Sequence, residues 1–140
     1  MDLQQLQTAV AGAVRRLPVL AGLPVFEEDK GNIVGNVQLE IAKTRFCVVV
    51  GSARFQDKAP DSSLCFGTVS VVVTVFEDPV VNRSKHNRPT YLQAAQAIAK
   101  ALKLFDTGDG ILVTKSISPP TDLGDGSVAC DVTCEVDTTL

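Results

Sequence analysis

The chain has 140 residues and a net charge of −3, and 45% of its residues are hydrophobic and 21% are charged. This composition excludes a disordered chain, and the length suits a single domain, residues 1–140, that buries its own core. The negative charge argues against a nucleic-acid-binding protein. No apolar run is long enough to span a membrane and no secretory signal is evident. We therefore expect a protein that stays in the cytoplasm or leaves it only within a particle.

The N-terminal segment predicts an amphipathic helix. Asp2 is suited to cap it, and Gln5, three residues later, is suited to complete a capping box. Pro18 predicts the end of the helix, because proline restricts the residue before it and cannot donate a backbone hydrogen bond. The apolar residues repeat with helical spacing: Leu3, Leu6, Val10, Ala13, Val14 and Leu17.

The following segments predict strands and a loop. Residues 23–26 indicate a short edge strand, because an interior strand would not accept Pro24. Apolar and polar residues alternate over 36–41, which predicts either a short strand or a helical turn. Residues 46–50 are apolar on both faces, and this indicates a central strand covered on each side. Residues 51–63 predict a long polar loop.

Residues 66–77 predict one long strand with two different faces. One face is polar in part, but Val72 and Phe76 make it apolar as well. The other face carries a row of four valines and is expected to face the core: Val69, Val71, Val73 and Val75.

A second helix is predicted after the loop at 78–88. Thr90 and Gln93 form a capping box, and Pro89 fixes the entry of the chain into the helix. Lys100 and Lys103 lie in the last turns, where cations suit the helix dipole. The predicted apolar stripe consists of Leu92, Ala95, Ile98, Ala99, Leu102 and Phe105.

Two further strands complete the predicted fold, one over residues 111–117 and one over residues 127–136, with glycine turns before the last. The predicted order is helix, three strands, helix, two strands. Helices separated from strands in this way favour an α+β fold, in which an antiparallel sheet carries both helices on one face.

The four cysteines do not suggest a disulfide or a metal site. Cys130 and Cys134 lie on the apolar face of the last strand, about 13 Å apart along it, too far for a bond between them. Cys47 and Cys65 are isolated in the sequence, and His86 is the single histidine. We therefore expect Cys130 and Cys134 to be small buried side chains.

The sequence contains no recognisable catalytic motif. His86 lies in a polar loop and would be poorly shielded as a general base. The segments that begin at Asp106 and Asp122 resemble calcium loops, but their twelfth positions are Ile117 and Thr133 instead of glutamate. No glycine-rich segment completes a phosphate-binding loop. We expect no enzymatic activity, no cofactor and no metal.

The predicted sheet has more apolar surface than two helices on one face can cover. Val72 and Phe76 extend apolar surface onto the second face, and the strand at 46–50 is apolar on both. Either the loop at 51–63, with Arg54 and Phe55, or another subunit is expected to cover that face. These four side chains are therefore candidate protein-interface residues.

A basic cluster adds four more candidates: Arg83, Lys85, His86 and Arg88. The cluster is either a solvated loop or a contact for an acidic protein surface or a nucleic-acid backbone. Aromatic residues that would stack on bases are missing, which favours a protein partner.

Two segments resemble small prophage-encoded tail proteins: residues 46–50 with the loop that follows, and the long strand that runs into residues 78–83 before a capped helix. In element order, residues 3–136 are similar in plan to the tail terminator (tail completion) proteins of long-tailed bacteriophages. The resemblance implies a structural subunit of the virion tail that forms a ring, typically a hexamer. Such a ring would cap the tail tube, and its partners would be the tube protein and a head-completion or neck protein. Another minor tail or neck protein would have nearly the same features.

A second hypothesis is a small-molecule-binding or enzymatic α+β domain with its ligand between the sheet and the loops. It requires polar groups that converge inside an apolar pocket.

Overall fold

The computed structural model describes residues 1–28, 33–82 and 88–140, and it confirms the predicted α+β class. A short 3-10 turn, Pro18–Leu20, follows the first helix. In chain order the elements are α1 (Leu3–Arg15), β1 (Val25–Glu27), α2 (Ile33–Lys43), β2 (Phe46–Val50), β3 (Arg54–Asp57), β4 (Phe66–Glu77), α3 (Pro79–Asn82), α4 (Tyr91–Leu102), β5 (Phe105–Asp106), β6 (Ile111–Ile117), β7 (Thr121–Asp122) and β8 (Val128–Thr139).

Within these residues the strands form one curled sheet in the order β1-β2-β4-β8-β6-β5, while β3 pairs with β4 and β7 pairs with β8. Its centre is the antiparallel pair of β4 and β8, which are hydrogen-bonded along their whole lengths. The prediction of a wholly antiparallel sheet was wrong at one edge, where β1 runs parallel to β2. Parallel neighbours require a crossover connection, and α2 supplies it.

The core lies between the sheet and the two predicted helices, α1 and α4. Asp2 caps α1 by accepting hydrogen bonds from the backbone N–H groups of Gln4 and Gln5, and Thr90 and Gln93 form the predicted capping box of α4. In the predicted α4 stripe, Ala95, Ile98 and Leu102 are buried, Ala99 and Phe105 are half-buried, and Leu92 is 47% exposed. The sheet contributes Phe46, Val48 and Val50 from β2, Val69, Val71, Val73 and Val75 from β4, and Cys130, Val132, Cys134 and Val136 from β8.

Two helices of the structure were not predicted: the short α3, which lies inside the predicted loop at 78–88, and the longer α2. Residues 33–43 form α2, which packs over β2 on the face opposite α1 and α4. The two-helix, one-face arrangement was therefore incomplete. Alternation within residues 36–41 left a short strand or a helical turn open, and the structure has a helix, in which Ile33, Val37 and Ile41 recur at every fourth position and form one side.

The predicted loop at residues 51–63 contains the edge strand β3, which pairs with the first half of β4. Phe55 lies opposite Val69 in this pairing and packs against the core on the side of α1 and α4. The second face of the sheet is therefore covered in part by α2, and Phe55 does not cover it.

Candidate functional site

The candidate site is the sheet face that α2 covers only in part. Cys47 and Val49 of β2 point to this face and are 0% and 7% exposed, because α2 lies over them. Val72 and Phe76 of β4 point to the same face but are only half-buried. The helix thus covers β2 and leaves the neighbouring strand β4 partly open on this face.

A groove of about 540 Å³ runs between α2 and β4. A second cavity of about 470 Å³ continues it along the helix, shares Val37, Gln38 and Phe76 with it, and extends to Leu123 and Asp125. The first cavity is the groove's main part, and its apolar lining comes from Ile33, Val34 and Val37 on the helix and from Val49, Val72 and Phe76 on the sheet. We call the two together the α2 groove.

The helix α2 is unusually exposed for its composition. Every one of its residues is described by the structure, and none of them is buried. Val34 and Leu39 are 69% and 64% exposed. Scattered exposed apolar residues such as Leu39, which lines neither cavity, are normal, but Val34 lines the groove together with Val72 and Phe76 and extends its apolar surface.

Polar groups border the α2 groove. Glu28 accepts a hydrogen bond from the backbone N–H of Ser52 at 2.8 Å, and the Thr74 hydroxyl donates to Asp131 at 2.7 Å. Arg54 reaches the rim from β3. Hydrogen bonds within the protein hold Glu28 and Asp131 in place. A polar rim thus surrounds an apolar floor, as is usual in binding surfaces.

Polar side chains also lie on the second face of the sheet beyond the groove, near the start of β4 and the end of β8. Asp137 accepts hydrogen bonds from Thr68 at 2.7 Å and from Lys58 at 3.0 Å. The Thr68 hydroxyl is the main cause that lowers the pKa of the Asp137 carboxyl, and Lys58 adds to it. This end of the sheet is therefore charged and solvated, in contrast to the apolar floor.

The predicted interface residues separate into three groups. Arg54, Val72 and Phe76 line the α2 groove together. Phe55 packs against the core on the other face. Arg83, Lys85 and His86 lie outside the described residues, and Arg88 is directed into the protein.

Arg88 belongs to a buried polar network where β4 leads into α3 and α4. Its guanidinium donates to the carbonyl oxygen of Thr44 and, at 3.4 Å, to Oδ1 of Asn82. The Asn82 amide donates to Glu77 Oε2 at 2.5 Å and to the carbonyl oxygen of Pro89 at 3.0 Å. This network fixes the start of α4 against the sheet.

Glu77 completes the network from the sheet side. Its second carboxylate oxygen accepts the backbone N–H of Tyr91 at 3.1 Å, in the first turn of α4, where a negative charge suits the helix dipole. The side chain of Glu77 is fully buried. The contacts of this carboxylate therefore serve the fold.

The three buried cysteines are poor candidates for chemistry. Burial raises the pKa of the Cys47 thiol to about 12, and the carboxylate of Glu40 adds to the effect. Burial likewise raises the pKa values of Cys130 and Cys134, which are buried as predicted. Raised pKa values keep these thiols protonated and unreactive. Within residues 1–28, 33–82 and 88–140, no group of three His, Cys, Asp or Glu side chains could hold a metal ion.

The sequence predicts no membrane-spanning segment, and the helices of the structure bear on this prediction. Among the helices of the described ranges, none has the length and apolar character required to cross a bilayer.

The geometry defines an α+β domain whose sheet carries two helices on one face and one partial cover on the other. No family model and no curated protein sequence matches the chain. Its fold resembles that of a chain in the solved virion of a native gene transfer agent particle, with a TM-score of 0.66, 19% identity, and coverage of 96% of this chain and 95% of that chain.

A second solved structure, whose name describes no function, aligns with a TM-score of 0.57 at 14% identity. The match covers 100% of this chain and 97% of that one. At such identities the comparisons establish a shared fold.

Proposed function

We propose that the chain is a structural subunit of a phage-like virion. In this proposal its copies form a ring, typically a hexamer, that caps the tail tube and joins the tail to the head or neck. Its partners are itself, the tube protein and a head-completion or neck protein, and it has no enzymatic role. It resides in the bacterial cytoplasm before assembly and in the virion tail afterwards.

The observation that carries this proposal is the structural likeness to a chain of a gene transfer agent virion. The likeness extends over nearly all of both chains, so it concerns the whole domain and not a common substructure. Fold alone does not determine function, and the proposal therefore needs support from the surface of this chain.

The α2 groove gives that support. A folded monomer rarely leaves an aliphatic helix and the adjacent sheet floor open to water, whereas an assembly subunit does so where a neighbour will pack. Of the residues that line the groove, Val34 is mostly exposed, and Val72 and Phe76 are half-buried. A neighbouring subunit would complete the cover that α2 begins.

One observation favours a second candidate, a small-molecule-binding domain. The main part of the α2 groove, about 540 Å³, falls within the range of roughly 300–1,000 Å³ that is usual for ligand sites. Glu28, Arg54 and Asp131 would supply its polar contacts. This candidate predicts a monomer that binds its ligand without assembling.

Sedimentation and imaging of the purified chain separate the two candidates. The proposal predicts masses that rise with concentration to a multiple of the 14.8 kDa chain, and closed rings in negative-stain electron micrographs. A chain that remains monomeric up to millimolar concentration would contradict the ring proposal and favour the ligand-binding domain.

A further inference from the structure

The C-terminal end of α4 carries an exposed leucine that the fold of the monomer does not explain. Leu104 is 66% exposed and has a φ of 57°, in the left-handed region. It follows Lys103, the C-cap of α4, at a position where helices usually have glycine. A leucine in this conformation is disfavoured by its Cβ. Neither backbone geometry nor burial accounts for it, so its side chain is a candidate contact.

Basic residues flank this leucine. Lys100 and Lys103 are exposed in the last turn of α4 and just after it. We call residues 100–104 the α4 knob: one exposed apolar side chain beside two ammonium groups.

The α2 groove has the complementary character. Its floor is apolar, and among the described residues that line it carboxylates outnumber guanidiniums: Glu28, Asp78, Asp125 and Asp131 against Arg45 and Arg54. Arg45 is already paired with Asp78 at 3.5 Å. The rim that remains is therefore mainly acidic, and it suits a basic partner with an apolar tip.

The two surfaces lie on opposite faces of the sheet, because α4 packs on the core side and α2 on the other. A contact between two different surfaces of identical subunits is head-to-tail, and such contacts generate rings when the rotation closes. A groove-to-groove dimer would instead place two acidic rims against each other.

We propose that the α4 knob of one copy docks into the α2 groove of the next, with Leu104 against Val72 and Phe76 and the two lysines at the acidic rim. This inference rests on the proposed ring function and specifies its subunit interface. Each copy contributes one knob and one groove, so the contact repeats around the ring.

Charge reversal tests the pairing without disturbing the core. One variant carries Lys100→Glu and Lys103→Glu, and the other carries Glu28→Lys and Asp131→Lys. Each variant alone would place like charges across the contact, and its association constant should fall at least about tenfold. An equimolar mixture should recover assembly, because each knob then meets a groove of opposite charge on the other variant. Circular dichroism would verify that both variants are folded.

Leu104→Gly provides an independent test. Glycine adopts the left-handed conformation without the strain that a Cβ causes, so the variant's melting temperature at monomer concentrations should rise. Its association constant should fall about tenfold or more. Leu64 is similarly exposed, at 63%, and Leu64→Gly serves as the matched control with unchanged association. A purely structural leucine would not separate stability from association in this way.

The outcomes distinguish the two proposals. Rings that form normally in both charge variants and in Leu104→Gly would overturn this interface and leave the ring function in place. Failure of the mixture to recover assembly would also overturn it, and self-association of the lysine-bearing groove variant alone would indicate a different contact. A wild-type chain that never assembles would contradict the ring function and this inference together.

Discussion

Replacing Asn82 by alanine is expected to lower the free energy of unfolding by about 3 kcal/mol. The Asn82 amide is 1% exposed and donates to the buried carboxylate of Glu77 and to the carbonyl oxygen of Pro89. Alanine would leave both acceptors without this donor in a site that water cannot reach, and hydrogen bonds to charged groups are among the strongest in proteins. Urea unfolding followed by circular dichroism measures the loss.

Asn36→Ala is the matched control, because Asn36 lies in the helix α2 and is only half-buried. This control should change the unfolding free energy by less than about 1 kcal/mol. Equal losses in the two variants would show that the network of Glu77, Asn82 and Arg88 does not hold α4 against the sheet.

Stability is expected to fall at alkaline pH because of Cys47. In the folded chain its pKa is about 12, whereas the ordinary thiol value is 9.0. Above pH 9 the thiol of the unfolded chain loses its proton and the thiol of the folded chain keeps it. Ionisation therefore stabilises the unfolded state relative to the folded state. The stabilisation is complete below pH 9 and is lost as the pH rises toward 12, at about 1.4 kcal/mol per pH unit.

The comparison with Cys47→Ala isolates this effect from other titrations. Between pH 8 and pH 10, under reducing conditions, the wild-type chain should lose about 1.4 kcal/mol more unfolding free energy than the variant. Cys65→Ala, at an exposed position, should follow the wild-type curve. Parallel curves for the wild type and Cys47→Ala would mean that α2 does not keep water from this thiol.

The sequence predicted those parts of the fold in which periodicity and packing agree. The four alternate valines of β4 all point to one face, and that face is buried. Both helix caps, Asp2 and Thr90, are of residue types that favour helix starts. Alternation in β8 placed Cys130 and Cys134 in the core. In each of these cases the sequence pattern was compatible with only one kind of local structure.

The prediction stayed open between a strand and a helical turn where two periodicities overlapped. Residues 36–41 fit the alternation of a strand, but Ile33, Val37 and Ile41 also fit a helix, and the connection between parallel strands decided for the helix. That choice depends on how β1 and β2 pair, which is a long-range property that local sequence does not contain.

The site was predicted in part for the same reason. Val72 and Phe76 were found because they interrupt the polar residues Thr68, Ser70 and Thr74 on one face of β4, and they line the groove. The α2 wall was missed along with the helix. Arg88 belonged to a basic run, yet its guanidinium bonds to Thr44 and Asn82, because burial of the neighbouring Glu77 and Asn82 requires hydrogen-bond partners.

Amide hydrogen exchange along α2 tests the central claim most directly, namely that a neighbouring copy completes the cover of the second sheet face. Exchange is measured on the wild-type chain at concentrations below and above assembly. Amides of residues 33–43 are expected to exchange at least about tenfold more slowly in the assembled state. Unchanged exchange in α2 within a fully assembled sample would contradict this claim.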